Sequence, residues 1–379
     1  MRIETFTHRL AGGWSRTLPV AFDSRRTLVI AFGAAGYAAA PNALAELAAA
    51  FPHSIHAGCS SAGEILGDIV ADDSLVVAAI RFERTTLAMA TTPIAAMTDS
   101  AAAGARLGAE LAPAGPRLVL VLADGLAVNG TELVRGLTES LPSGTLVAGG
   151  LAADGDRFAR TWVLVGGKPR SGFVTAVGLT GPLQVGAGSQ GGWDAFGPER
   201  RVTRARGNVL YELDGQPALA LYKTYLGELA RGLPAAALRF PLAIRESSDA
   251  GEAIVRTILA VDEAAQSMTF AGDVPQGWRA RLVRSTSDRL IAGAMRAAAD
   301  ATAAVEGGPA LALAISCVAR RLLLGQRADE ETEAALEVLP AGSHQIGFYS
   351  YGEISPRGVA TCELHNQTMT LTTLREIAA

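Results

Sequence analysis

The chain has 379 residues, more than one ordinary hydrophobic core accommodates, so two domains are the expectation. Apolar residues make up 49% and charged residues 18%, which excludes global disorder. The net charge of −4 is mild and the basic residues form no stripe, which speaks against nucleic acid as a partner.

Three cysteines, Cys59, Cys317 and Cys362, are few and odd in number. They fit reduced thiols in a cytoplasmic protein better than a disulfide framework. Met1 to Leu10 mix charged and polar residues and read as no secretory leader. The Ala-rich runs carry regular charges such as Arg296 and Asp300, so no membrane span is expected.

Residues 1–24 read as a polar N-terminal segment with a turn at Gly12-Gly13. The run from Thr27 to Phe32 is a buried strand ending at Gly33. Pro41 suits the first turn of a helix that buries Leu44, Leu47, Ala48 and Phe51 on one face. Ser54 to Ala57 leads into Gly58-Cys59-Ser60-Ser61-Ala62-Gly63-Glu64-Ile65, read as a Gly-rich loop. Residues 75–82 and 85–92 look like a strand pair joined tightly near Glu83-Arg84. A helix over 99–111, a strand ending at Asp124, a helix over 131–141 and a second Gly-rich stretch at Gly149-Gly150 to Asp154 follow.

This succession occurs three times: strand, helix, Gly-rich loop at 27–65, 118–155 and 311–354. The third loop, Gly347-Phe348-Tyr349-Ser350-Tyr351-Gly352-Glu353-Ile354, matches the first at its Gly, Ser, Gly, Glu and Ile positions. Such internal similarity indicates duplication with a shared structural role. Two matching turns nearly 300 residues apart suggest two sides of one cleft. Between copies two and three lies a strand-rich stretch broken by glycines, with a helix starting at Asp214-Gly215 and a meander over 238–244, 254–261 and 268–270. The fold class is α/β with α+β character: mixed sheets, flanking helices and internal repeats. The expected division is 1–24, 25–158 and 159–379.

Each residue that could carry chemistry has a plain structural alternative. Cys59 is either a reactive or ligand-contacting thiol near helix N-terminal donors, or a small residue packed in a turn. Glu64 and Glu353 pair with a ligand amine or tie down their turns by accepting backbone N–H bonds. Arg320 clamps a carboxylate or phosphate, or lies on the surface. Asp124 and Asp154 face the cleft or cap turns. The run His365-Asn366-Gln367-Thr368 puts hydrogen-bonding groups on both faces of a strand-like segment. It is either a buried polar site or an exposed edge.

No G-x-x-x-x-G-K-[ST], H-E-x-x-H or C-x-x-C is present, and the G-x-G-x-x-G spelled by Gly186 to Gly191 opens no βαβ unit. His53 and His56 lack companions for a zinc site.

At these motifs the chain resembles the FIST proteins. The stretches 58–65 and 148–154 look like the FIST N-terminal domain; Leu210 to Ala218, Phe240 to Leu242, 347–354 and 365–368 look like the C-terminal one. The resemblance implies a bacterial or archaeal sensory input module that binds a small ligand such as an amino acid. It also implies signalling to a histidine kinase, cyclase or chemotaxis-type output, here a separate partner. The candidate ligand-contacting set read from the residues is Cys59, Ser60, Ser61, Glu64, Gly149, Cys317, Arg320, Tyr349, Tyr351, Glu353, His365 and Asn366, with no cofactor, no metal and no catalysis expected. One alternative is a haem-binding nitric-oxide sensor of the NosP type, with His365 as the available ligand. The other is an enzyme with Cys59 as nucleophile and His56 or His365 as base.

Overall fold

The computed structural model describes residues 1–40, 42–246, 253–357 and 361–377. Pro41 lies outside them.

The first copy runs β1 (Arg2–Arg9), a short β2 (Gly13–Trp14), β3 (Thr27–Ala34), α1 (Asn42–Ala50), β4 (Ile55–Ser61), the hairpin β5 (Glu64–Leu66) and β6 (Ile69–Ala71), and β7 (Ser74–Arg81). The second runs β8 (Thr86–Pro93), α2 (Ser100–Leu111), β9 (Leu118–Ala123), α3 (Gly130–Ser140), β10 (Leu146–Leu151), the hairpin β11 (Val163–Val165) and β12 (Lys168–Arg170), and β13 (Phe173–Thr180). The third opens with β14 (Leu183–Gln190). An insert follows: β15 (Asp194–Ala195), β16 (Arg200–Arg206), β17 (Val209–Leu213), β18 (Gln216–Pro217), α4 (Ala218–Leu226), β19 (Leu242–Arg245), β20 (Ile254–Arg256), β21 (Ile258–Asp262), β22 (Ser267–Phe270) and β23 (Arg279–Arg284). The copy then resumes with α5 (Ser287–Thr302), β24 (Leu311–Cys317), α6 (Val318–Leu324), α7 (Ala328–Val338), β25 (His344–Ser350), the hairpin β26 (Gly352–Arg357) and β27 (Thr361–His365), and β28 (Met369–Glu376).

Each copy builds the same four-stranded unit, in the orders β4-β3-β7-β1, β10-β9-β13-β8 and β25-β24-β28-β14. The two strands flanking the helix are parallel and the next is antiparallel. Each copy then lends its hairpin to a neighbour's sheet. The first copy's β5 pairs with β25 of the third, β26 of the third with β10 of the second, and β11 of the second with β4 of the first. The exchange closes on itself, so segments on either side of the expected 158/159 division share sheets.

Side-chain alternation along the strands explains their unbroken apolar character. Leu28, Ile30 and Phe32 of β3, Leu118, Leu120 and Leu122 of β9, and Leu311, Leu313 and Ile315 of β24 meet in one core between the three sheets. Phe32 and Phe348 touch there, ring centroids 4.6 Å apart. The intervening residues face outward: Val29 and Ala31 pack with Leu44 and Leu47 of α1. Val119 and Val121, and Ala312 and Ala314, face the helices of copies two and three. The insert has its own core, around Leu210, Tyr222, Ile244, Met268 and Phe270.

Several expectations change. The glycines read as loop openers lie inside strands. Gly58, Gly149 and Gly347 occupy equivalent places in β4, β10 and β25, opposite Ala31, Val121 and Ala314. A methyl group at any of them would strike the carbonyl oxygen of that opposite residue, so the repeated glycine is a condition of close strand packing. The strands at 74–81 and 86–93 exist but join different sheets: β7 lies between β3 and β1, and β8 lies on β13. Asp214-Gly215 turns β17 into β18, and the helix begins only at Ala218. Residues 235–239 form a 3-10 turn before β19.

Candidate functional site

The two matching motifs lie side by side as neighbouring strands. Ala62 donates its amide to the Tyr349 carbonyl, and Tyr349 donates to Gly63, both at 2.9 Å. Their glutamates are equally matched. Ser61 Oγ donates to one oxygen of Glu64, while Ser74 donates to the other through its amide (3.1 Å) and hydroxyl (2.8 Å). Ser350 Oγ donates to one oxygen of Glu353 at 2.7 Å, and Thr368 donates to the other through its amide (3.2 Å) and hydroxyl (2.9 Å). Ser74 opens β7 and Thr368 precedes β28, so each glutamate ties its turn to the next strand of its own copy. Glu64 is 1% exposed and Glu353 0%. Burial raises both carboxyls, Glu64 to about 7 and Glu353 to about 8. The second copy carries Gly155 at this place.

Arg320 is fully buried. It pairs with Glu331 of α7 through Nε at 2.7 Å and donates to the carbonyls of Gly191 (2.6 Å) and Leu290 (2.8 Å). Tyr349 and Ser316 also donate to Glu331, each at 2.9 Å. Tyr351 donates to Asp154 and stacks on Phe158 at 4.5 Å. Asp154 in turn accepts from the amides of Ala159 and Arg160. Asp124 accepts from Thr161, Leu126 and Gly172. Ser60 Oγ accepts the Trp162 amide at 3.1 Å.

Cys59 was expected near helix N-terminal donors that favour a thiolate. It lies in the middle of the first sheet, 0% exposed, in the core between the three sheets, and burial pushes its thiol well up. Burial likewise raises the Cys317 thiol, whose amide donates to Thr368 at 3.1 Å.

The run His365–Thr368 is buried throughout; His365 ends β27 and 366–368 form the turn into β28. It lies where the insert meets the prism of sheets. From the insert, Arg256 Nη1 donates to the Leu364 carbonyl at 2.9 Å, and the Leu238 carbonyl accepts Gln367 Nε2 at 3.2 Å. From the segment joining β14 to the insert, Trp193 Nε1 donates to the Gln367 carbonyl at 2.8 Å. Gln367 is held at φ 62, a conformation a residue with a side chain adopts only when its surroundings impose it. His365 Nε2 lies 3.1 Å from the Ser355 carbonyl and Nδ1 3.5 Å from Ser189 Oγ.

Nine buried side-chain polar atoms have no hydrogen-bond partner among the described residues, and four of them lie on this turn and on Ser355 beside it: Asn366 Oδ1, Asn366 Nδ2, Gln367 Oε1 and Ser355 Oγ. Asn366 is 1% exposed. A buried amide with both ends unsatisfied costs about 1–3 kcal/mol per group. The seam therefore holds hydrogen-bond donors and acceptors that the described residues leave unmatched. Of the expected set it brings together His365 and Asn366, with Cys317 and Glu353 bonded to Thr368 at its edge. Ser60, Tyr349 and Tyr351 bond across copies, while Ser61, Glu64, Gly149 and Arg320 pack or bond within their own. Ser189, Trp193, Arg256 and Ser355 were not singled out in the sequence. They are far apart along the chain, and no local pattern joins them.

Three four-stranded units exchanging hairpins, with an inserted module over one seam, define a threefold repeated architecture with a buried polar junction. The FIST N domain family matches residues 27–216 and the FIST C domain family matches 218–356, and the chain belongs to the FIST family. FIST domains are sensory modules of signal transduction that bind small ligands. No curated protein matches the chain. Among solved structures, the cyanuric acid hydrolase from A. caulinodans overlaps at TM-score 0.35 and 8% identity, over 100% of this chain and 99% of that one, too weak to bear on activity. No helix among the described residues is long and apolar enough to cross a membrane.

For the haem alternative, the seam offers one histidine. Both ring nitrogens of His365 already have oxygen neighbours, so an axial bond to iron would displace one of them. That is a poor fit to a haem pocket.

Proposed function

We propose that this protein is a cytoplasmic, non-catalytic sensor whose small polar ligand, an amino acid or close relative, occupies the seam around Asn366. The observation that carries the reading is the Asn366 side chain: buried, with donor and acceptor both unmatched among the described residues. A ligand offering both an ammonium or amide N–H and a carboxylate or carbonyl oxygen completes it. Gln367 Oε1 and Ser355 Oγ supply further acceptor capacity for an ammonium.

The seam also suggests how occupancy becomes a signal. The insert connects to the rest through β14 at one end and α5 at the other. A ligand bonded to the β27–β28 turn beneath it would favour one placement of the insert. A separate partner, such as a histidine kinase or cyclase, would read that shift in population.

Catalysis by Cys59 is disfavoured by the burial of its thiol, since the thiolate is the nucleophile. A thermal-shift screen with the common amino acids and their amides tests the reading. A ligand at one hundred times its Kd stabilises by about 2.7 kcal/mol. If no compound shifts the melting temperature, the reading fails.

A further inference from the structure

A second charged feature lies on the first sheet. The antiparallel register of β1 and β7 places Arg2 directly opposite Arg81. Like charges so placed destabilise a ladder. The loop entering β3 adds Arg25 and Arg26. That loop is fixed: Thr27 donates to the Ser24 carbonyl at 3.0 Å, the Arg26 amide to Ser24 Oγ at 3.2 Å, and Phe82 to the Arg26 carbonyl at 2.9 Å. The guanidinium of Arg26 donates to the Glu83 carbonyl, and that of Arg81 to the Ala21 carbonyl at 2.9 Å. These carbonyls orient the two arginines without neutralising them. A depression of about 310 Å³ opens here, lined by Ser24, Arg25, Arg26, Arg81, Phe82 and Glu83. The lining residues carry three guanidinium groups and one carboxylate, that of Glu83, which lies 3.6 Å from the Met1 ammonium, in a chain whose overall charge is −4.

We propose that this depression binds the phosphoryl group of a small molecule. The lining's excess of two positive charges calls for an anion with about two negative charges on one compact group. A phosphate monoester carries about −1.5 to −2 at neutral pH. Guanidinium forks match its oxygens bidentately. The lining has a single apolar side chain, Phe82, so recognition rests on charge.

Calorimetric titration with pyrophosphate at physiological salt tests this, on the full chain and on its Arg25→Glu variant. Arg25 is exposed, so the reversal leaves the fold intact, and an unchanged melting temperature checks that. Wild type is expected to bind saturably, and the variant at least ten-fold more weakly. A phosphoserine peptide is expected to bind no more tightly than pyrophosphate. Absence of saturable binding by wild type, or equal binding by the variant, overturns the proposal. Markedly tighter binding of the peptide overturns its assignment to a small molecule.

Discussion

Phe348 lies opposite Glu64 in the ladder between β25 and β5. This pair, with Ile65 opposite Gly347 next to it, joins the two stretches that spell nearly the same motif at opposite ends of the chain. It also shows what the duplication does: each copy completes a sheet belonging to another. Within each copy, the glycine inside the motif strand is a point of very close packing. Gly58→Ala, Gly149→Ala and Gly347→Ala each force a methyl group against a carbonyl of the neighbouring parallel strand. Each is expected to destabilise by at least about 1–3 kcal/mol, the usual cost of overpacking. The midpoint of urea unfolding checks this, and a midpoint unchanged in all three variants would contradict it.

The twin glutamates give stability a pH signature. Glu353 has its folded-state value raised to about 8, and Glu64 to about 7, chiefly by burial, while an unfolded glutamate titrates near 4.5. A raised carboxyl contributes stability that is fully present below about 4.5 and is lost as pH rises through the folded value. Stability is therefore expected to decline between about pH 5 and 9. Glu353→Gln is expected to flatten the upper part of that decline. Melting temperatures across this range decide it, and a variant curve parallel to wild type would refute the assignment.

Arg320 and Glu331 form an ion pair that is wholly buried. Arg320 also lies 3.4 Å from the Gln367 carbonyl, so the pair braces the turn that presents Asn366. Arg320→Met leaves Glu331 charged and without its cation, and is expected to cost about 3–5 kcal/mol. Arg320→Met with Glu331→Leu is expected to recover much of that loss. A double-mutant cycle by chemical denaturation measures both; a single variant as stable as wild type would count against the pair.

Much of the local structure is legible in the residues, because alternation and helical spacing act over short distances. The strand–helix–strand units around Phe32, Leu120 and Ile315 are plain from their apolar runs. Pairing between copies is not. The strands β7 and β8 are adjacent in sequence, yet the amides of Glu83, Arg84 and Thr85 between them all donate to Glu376, about 290 residues away. That anchor turns the chain from one sheet into the next. The Ser-x-x-Glu spacing of Ser61/Glu64 and Ser350/Glu353 is visible, but Ser74 and Thr368, which complete each network, come from the following strand. The polar run at His365 stands out in the sequence; its unmatched atoms emerge only when the insert is folded over it.

Cys59 is expected to resist thiol reagents at neutral pH in the native state and to react once the chain is unfolded. Its burial both blocks access and raises the thiol. Mass spectrometry after timed alkylation, with and without denaturant, reads the difference. Rapid native labelling would revive the nucleophile.

The most direct test of the sensor reading is calorimetry on the wild type and its Asn366→Ala variant, using the amino acid that most raises the melting temperature. Two hydrogen bonds to a neutral amide are worth about 1–3 kcal/mol together. The wild type is expected to bind one equivalent, and the variant at least about ten-fold more weakly, a loss of about 1.4 kcal/mol, with its own melting temperature preserved. Equal affinity in the two proteins would contradict the seam as the ligand site.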